Sequence, residues 1–230
     1  MTELTALIAT LQFADGLFPS GGFAHSFGLE TCVQEGTVRD TDGLRRFVAV
    51  HLEGAAGPTD AVAAALAAGA GLAGDREACV ELDRRLDAAK TVPEFRAASR
   101  QMGRQTARAA AAVAADAFTD GLAAAVDDER TPGHHAVVFG AVTGRAGAAP
   151  DVAAAAFLHG TAALLVGAGL RLLPIGQLDG QRVLAAMRAP IARLARAAAA
   201  AGADDLWSFT PGLEIAGLRH AALEGRLFRS

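Results

Sequence analysis

The chain has 230 residues, of which 52% are hydrophobic and 20% charged; that excludes a disordered chain and allows a sizeable core in one large or two small domains. A formal net charge of -4 gives no broad attraction to nucleic acid. Lys90 is the only lysine, so any mechanism needing two lysines is excluded.

Helix signals dominate the chain in order. Leu4, Leu7, Ile8 and Leu11 form an i, i+3, i+4, i+7 stripe. The stretch FPSGGFAHSFGLE, residues 18–30, follows. Pro19 fixes one backbone angle and Gly21 and Gly22 open conformations closed to other residues, so a turn is forced there. Ser20 is a plausible N-cap, and a helix is predicted over 23–34 with Phe23 and Phe27 on one face and Ser26 and Glu30 on a neighbouring one. Leu44, Phe47, Val48 and Leu52 make the next stripe, ending at Gly-Ala-Ala-Gly-Pro, residues 54–58. Thr59 or Asp60 then caps an alanine-rich helix to about Gly69, and Asp75 starts another with Cys79, Leu82 and Leu86 inward.

Pro93 suits the first turn of a long helix over 94–113. One side of it carries Arg96, Arg100, Arg104 and Arg108 at intervals of four. That row reads either as a solvated face or as a surface for an acidic partner; without interleaved aromatics, nucleic acid is the poorer fit. Helix resumes at His135. Residues 152–170 carry no charge and are long enough to span a bilayer, but they are mostly Ala and Gly with His159 and Thr161 among them, which predicts a helix buried on most sides. Asp179 caps the next helix, with a kink expected at Pro190. Residues 207–211 read as an irregular link. A last helix places Ile215 and Leu218 inward and Arg219, His220 and Glu224 more exposed. The final residues, RLFRS, have nothing after them to pack against and are expected to be loose. With few period-2 runs and no fixed-period repeat, the expected fold is a single compact all-α domain of about eight to ten helices over 1–230.

Chemistry is hard to find. Lys90-Thr91 follows Asp87-Ala88-Ala89 with no glycine nearby, so no P-loop is expected. Ala24-His25-Ser26-Phe27-Gly28 resembles a nucleophile elbow, which makes a serine hydrolase centred on Ser26 the alternative reading; an elbow needs a strand before it, and here a helix and turn precede. His25, His51, His134, His135, His159 and His220 form no HExxH or i, i+4 pair. Adjacent His134 and His135 point about 100° apart on a helix, His51 reads as a satisfied semi-core residue, and His159 as a neutral hydrogen-bonded one. No catalytic residue, cofactor or metal is expected. Cys32 and Cys79 form no CxxC, and residues 1–10 lack a basic n-region and carry Glu3, so a reducing cytoplasm is expected and no signal peptide.

FPSGGFAHSFGLE followed by Val38 resembles the N-terminal signature of the urease accessory protein F family. His135-Ala136-Val137-Val138-Phe139-Gly140 resembles a second family motif, and Pro174-Ile175-Gly176-Gln177 with Asp179-Gly180-Gln181-Arg182 a third. Arg219-His220 and Arg226-Leu227-Phe228-Arg229-Ser230 resemble the family's closing segment. Four motifs in order, from residue 18 to the last, span nearly the whole chain.

The resemblance implies an all-α, dimeric, non-catalytic scaffold for nickel insertion into apo-urease. It implies binding to accessory protein D/H, recruitment of the GTPase G, and a nucleotide site that belongs to that partner. Phe23, where Tyr is common in the family, with His25, Ser26 and Glu30, is implied on the GTPase side. Arg226, Leu227, Phe228, Arg229 and Ser230 match a tail that becomes ordered on D/H, with Phe228 the expected apolar anchor. Gly225 replaces a usual Ser, which is expected to loosen that tail. His159 lies near a dimer-interface position. A helical adaptor unrelated to urease is the third reading. No nucleic-acid or membrane partner is implied.

Overall fold

The computed structural model describes residues 2–114 and 116–230. Among them are eleven α-helical segments and no strand: α1 (Glu3–Ala14), α2 (Leu29–Gln34), α3 (Thr41–His51), α4 (Val62–Ala73), α5 (Arg76–Ala89), α6 (Pro93–Ala114), α7 (Ala117–Asp127), α8 (His135–Arg145), α9 (Pro150–Leu172), α10 (Gln177–Ala200) and α11 (Pro211–His220). The all-α expectation holds. α10 runs on across Pro190.

The Gly-Pro segment expected to end a helix does not end one. Residues Leu52–Ala61 form a π-helical stretch that joins α3 and α4 into one rod. In an α-helix the Pro58 ring would collide with the carbonyl four residues back, that of Gly54. The wider π spacing avoids that clash and leaves carbonyls free. The irregular link at 207–211 uses them: Phe209 N–H donates to Gly54 O at 2.8 Å and Trp207 N–H to Pro58 O at 3.4 Å.

Two apolar clusters make the core. One joins α3, α9 and α10 through Leu44, Leu52, Leu158, Leu165, Val183 and Met187. The other joins α4 to α5, α7 and α8 through Cys79, Leu86, Leu122, Val126, Val138 and Phe139. The α4–α8 contact is a seam of small residues. A methyl group on Gly140 or Gly144 would overlap the carbonyl oxygens of Ala64 and Ala68, so the two backbones lie closer than any other residue there permits. α9 is long and apolar enough to cross a bilayer, but half of its most apolar window is buried against its neighbours.

One amphipathic face needs correction. Ile215 and Leu218, expected inward, are 48% and 58% exposed, while Leu213, Ala216, Gly217 and His220 face the core. Gly217 sits so close to the Phe95 ring that a side chain there would overlap it, and Gly28 packs tightly, though less closely, on Ala216. Small residues and His220 therefore decide which face of α11 is buried. The apolar stripe of α1 also lies outward: Leu4, Leu7, Ile8 and Leu11 are exposed, and Ala6, Thr10 and Phe13 are buried.

The arginine row of α6 is knit to its own chain. Arg100 pairs with Asp87, Arg104 with Glu129 and Arg108 with Asp127. These are exposed pairs of small individual worth.

Candidate partner-binding site

No helix runs over 23–34. Gly22–Ala24 is a single 3-10 turn, His25 is extended, and Phe27 and Gly28 both take positive φ, at 50° and 85°. The sequence gives Gly28 that freedom; Phe27 adopts it against its intrinsic preference. Its ring is held at 5.5 Å from the Phe95 ring and 5.9 Å from those of His25 and His51. Only Leu29–Gln34 is α-helical.

This bent segment is the seat of the closing residues. Ser230 O accepts from Ser26 N–H at 2.6 Å, Phe27 N–H at 3.1 Å and Ser26 Oγ at 2.9 Å. Ser230 Oγ lies 2.9 Å from His25 Nδ1, and Arg229 N–H donates to Ala24 O at 2.9 Å. Glu30 receives Leu227 N–H at 2.7 Å and Phe228 N–H at 3.0 Å. Phe228 itself is buried in the α3–α9–α10 core. The segment expected to be loose thus has a built receptor in its own chain. Gly225, expected to loosen it, sits at φ 71°, a turn conformation that glycine takes without strain.

Arg171, at the end of α9, ties the two halves together. Its guanidinium carbon is 3.7 Å from the Phe23 ring centroid and 4.1 Å from that of Phe228, and one N–H donates to Phe23 O at 2.6 Å. Each cation–π contact is worth roughly 0.5–2 kcal/mol, more as water is excluded. Sequence reasoning passed over Arg171; the only signal was a charge closing a long apolar helix. It also passed over Glu94, which meets His220 and Arg226, and over Asp83, whose buried carboxylate accepts from Thr131 Oγ1, Gly133 N–H and His134 N–H and so fixes the start of α8.

The expected site residues therefore divide. His25, Ser26, Glu30, Phe228 and Ser230 are buried, and their polar groups serve the tail. Phe23 is 77% exposed and Leu227 60%, with Arg226 and Arg229 also at the surface. His159, expected to be a hydrogen-bonded residue within the fold, is exposed on α9. Gly160, the next residue, and Gly167, about two turns further on, have open space where a side chain would stand.

Electrostatics follow burial. Burial opposes the charge of Glu30, but the Leu227 N–H, His220 and the Phe228 N–H outweigh it and hold the carboxyl below its usual range. His25 is pushed down to about 4 by burial and by nearby Arg229. His51, expected to be satisfied, has no partner for Nδ1 and is pushed down to about 4 by burial. It stands with His135 on the wall of a cavity of about 480 Å³ whose lining includes the rings of Phe13, Phe18, Phe95 and Phe157.

Ser26 does not read as a nucleophile. No strand precedes it among the described residues, it is fully buried, and its hydroxyl donates to Ser230 O.

A sequence model of the UreF family matches residues 38–188. The chain is 32% identical over 227 residues to the urease accessory protein UreF of Bacillus sp. (strain TB-90), covering 99% of this chain and 100% of that one. It is 36% identical over 230 residues to the protein of the same name from Rhizobium leguminosarum bv. viciae, covering 99% and 98%. A third UreF, from Trichodesmium erythraeum (strain IMS101), is 31% identical over 231 residues, with 99% and 98% covered.

Proposed function

The chain belongs to the UreF family of urease accessory proteins, and we propose that it is a non-catalytic scaffold of urease maturation, bridging accessory protein D/H and the GTPase G during GTP-dependent nickel insertion into apo-urease. One observation carries the reading. His25 Nδ1, Ser26 Oγ and the Glu30 carboxylate hold the chain's own tail, while the apolar side chains of Phe23 and Leu227 stay outside. Exposed aromatic and aliphatic anchors beside exposed arginines suit protein contacts.

The tail face, Leu227 with Arg226 and Arg229, meets D/H in this reading, and Phe23 meets the GTPase. His25, Ser26, Glu30, Phe228 and Ser230 act from behind by fixing the shape of both. A partner that binds the docked tail is spared most of the cost of ordering it. In this reading the homodimer seam runs along α9 at exposed His159, while Gly160 and Gly167 beside it line the cavity wall and leave open space there. The two free cysteines agree with a cytoplasmic setting.

Size-exclusion chromatography with light scattering tests the scheme on the full chain, alone and mixed with the D/H protein and the GTPase. The expected result is a dimer that enters a larger complex. Leu227→Asp should lose D/H, and Phe23→Ala should lose the GTPase while keeping the dimer. A monomer that ignores both partners, or unchanged capture by both variants, would overturn the scheme.

A further inference from the structure

His220, the last residue of α11, has both ring nitrogens on carboxylates. Nδ1 lies 2.8 Å from Glu94 Oε2 and Nε2 3.0 Å from Glu30 Oε2. The ring is fully buried and Glu30 is 2% exposed. A neutral imidazole carries one N–H, and its other nitrogen is an acceptor. In this site that lone pair would face an anionic oxygen at hydrogen-bond distance, with little solvent to screen the repulsion. Two carboxylates at two ring nitrogens are satisfied only when each nitrogen bears a proton. The charges then balance: Glu30 and Glu94 against His220 and Arg226, which pairs with Glu94 at 3.1 Å.

The same Glu30 carboxylate receives Leu227 N–H and Phe228 N–H. The geometry points to a proton-dependent clasp: the His220 ring, held doubly protonated between Glu30 and Glu94, keeps residues 226–230 docked, and loss of that single proton loosens the tail while the helices stay folded. Deprotonation leaves two carboxylates sharing one arginine in a largely buried site, and Glu30 swings or hydrates at the expense of the tail amides. Glu30 comes from α2, Glu94 from α6, His220 from α11 and Arg226 from the tail. Nearby, Arg171 of α9 adds fixed positive charge towards Glu30, Arg219 is turned outward to Glu35, and His25 beside Ser230 is already neutral at neutral pH. His220 is therefore the group on which the charge balance of this cluster turns. The clasp belongs to the chain alone and does not depend on which partner the tail meets.

Two measurements on the full-length protein test it. Nitrogen-15 spectra of the His220 ring should show both nitrogens protonated at neutral pH. Amide hydrogen exchange at Leu227 and Phe228, corrected for the intrinsic effect of pH on exchange, should lose about ten-fold protection between about pH 6 and pH 9, while amides of α4 and α8 do not. Glu94→Gln, which keeps the shape and removes one charge, should move the transition to lower pH. A singly protonated ring at neutral pH, pH-independent tail protection, or an unmoved transition in Glu94→Gln would each overturn the clasp.

Discussion

The Glu30 carboxylate accepts the backbone N–H of Phe228 at 3.0 Å, across 198 positions of chain. One acidic side chain at the start of α2 thus closes the molecule on itself. Glu30→Gln keeps the size and removes the charge. A neutral amide cannot accept from two tail N–H groups and His220 as the carboxylate does. We expect a loss of about 3 kcal/mol, as for breaking a buried charged pair, read from the urea midpoint at neutral pH. The sign of the pH effect follows from the lowered carboxyl. The wild-type contribution of the lowered carboxyl is complete between the ordinary glutamate range and neutral pH and is lost as pH falls through the lower folded value, so the gap between wild type and Glu30→Gln narrows in acid.

Phe23 offers the contrasting case. It is 77% exposed and its ring covers one face of Arg171. Phe23→Ala should cost no more than about 1 kcal/mol, the scale of one surface cation–π contact. Its thermal unfolding should lie within a few degrees of wild type. GTPase capture should nevertheless fall sharply if the exposed ring is the anchor that the proposed scheme makes it. A large stability loss would mean that Phe23 is a structural residue whose effect on partners is indirect.

Gly140 and Gly144 are a stability test without a partner. Any added methyl meets the α4 carbonyls of Ala64 and Ala68, which are backbone and cannot rotate away. Gly144→Ala should therefore destabilise by about 1–3 kcal/mol or more, despite the better helix propensity of alanine. Gly160→Ala is the matched control, because a side chain there meets nothing within the chain. It should be neutral or slightly stabilising in the monomer. Weakened self-association in the same variant would place Gly160 in the dimer seam.

Helix type was legible where local signals agreed. Asp75 caps α5 by accepting Ala78 N–H, Cys79, Leu82 and Leu86 face inward, and Pro93 opens α6, all as spacing and capping rules predict. The errors share one cause: tertiary contacts overrode local pattern. Ile215 and Leu218 have the better apolar spacing, yet Gly217 against Phe95 and His220 against Glu30 turn α11 the other way. Residues 18–30 stood out as a motif, but their role did not. Only the fold brings Ser26 and Glu30 to the tail 197 to 204 positions away. Nothing local marks Arg171 or Glu94 as members of that site. Pro58 signalled a break, and the break was absorbed as a π stretch because residues 207–209 could use the freed carbonyls.

His25, His51 and His135 give the last prediction. Burial pushes each down to about 4, with Arg229 adding to the effect at His25. Imidazole in the unfolded chain titrates near 6.5, so between about pH 6.5 and pH 4 the unfolded state binds protons that the fold refuses. The contribution of these three should be flat above that window and fall through it, by several kcal/mol in all if the three act independently. Unfolding midpoints measured from pH 7.5 down to pH 4.5 should show this slope. His51→Leu separates the contributions. It removes a buried ring whose Nδ1 has no partner, so it should be neutral or mildly stabilising at pH 7.5, by about 1 kcal/mol at most. At pH 5 its advantage over wild type should grow, since one of the three refused protons is gone. An equal difference at both pH values would mean that the His51 ring takes up its proton in the fold as readily as in the unfolded chain, and that the cavity it lines is wetter than its aromatic wall implies.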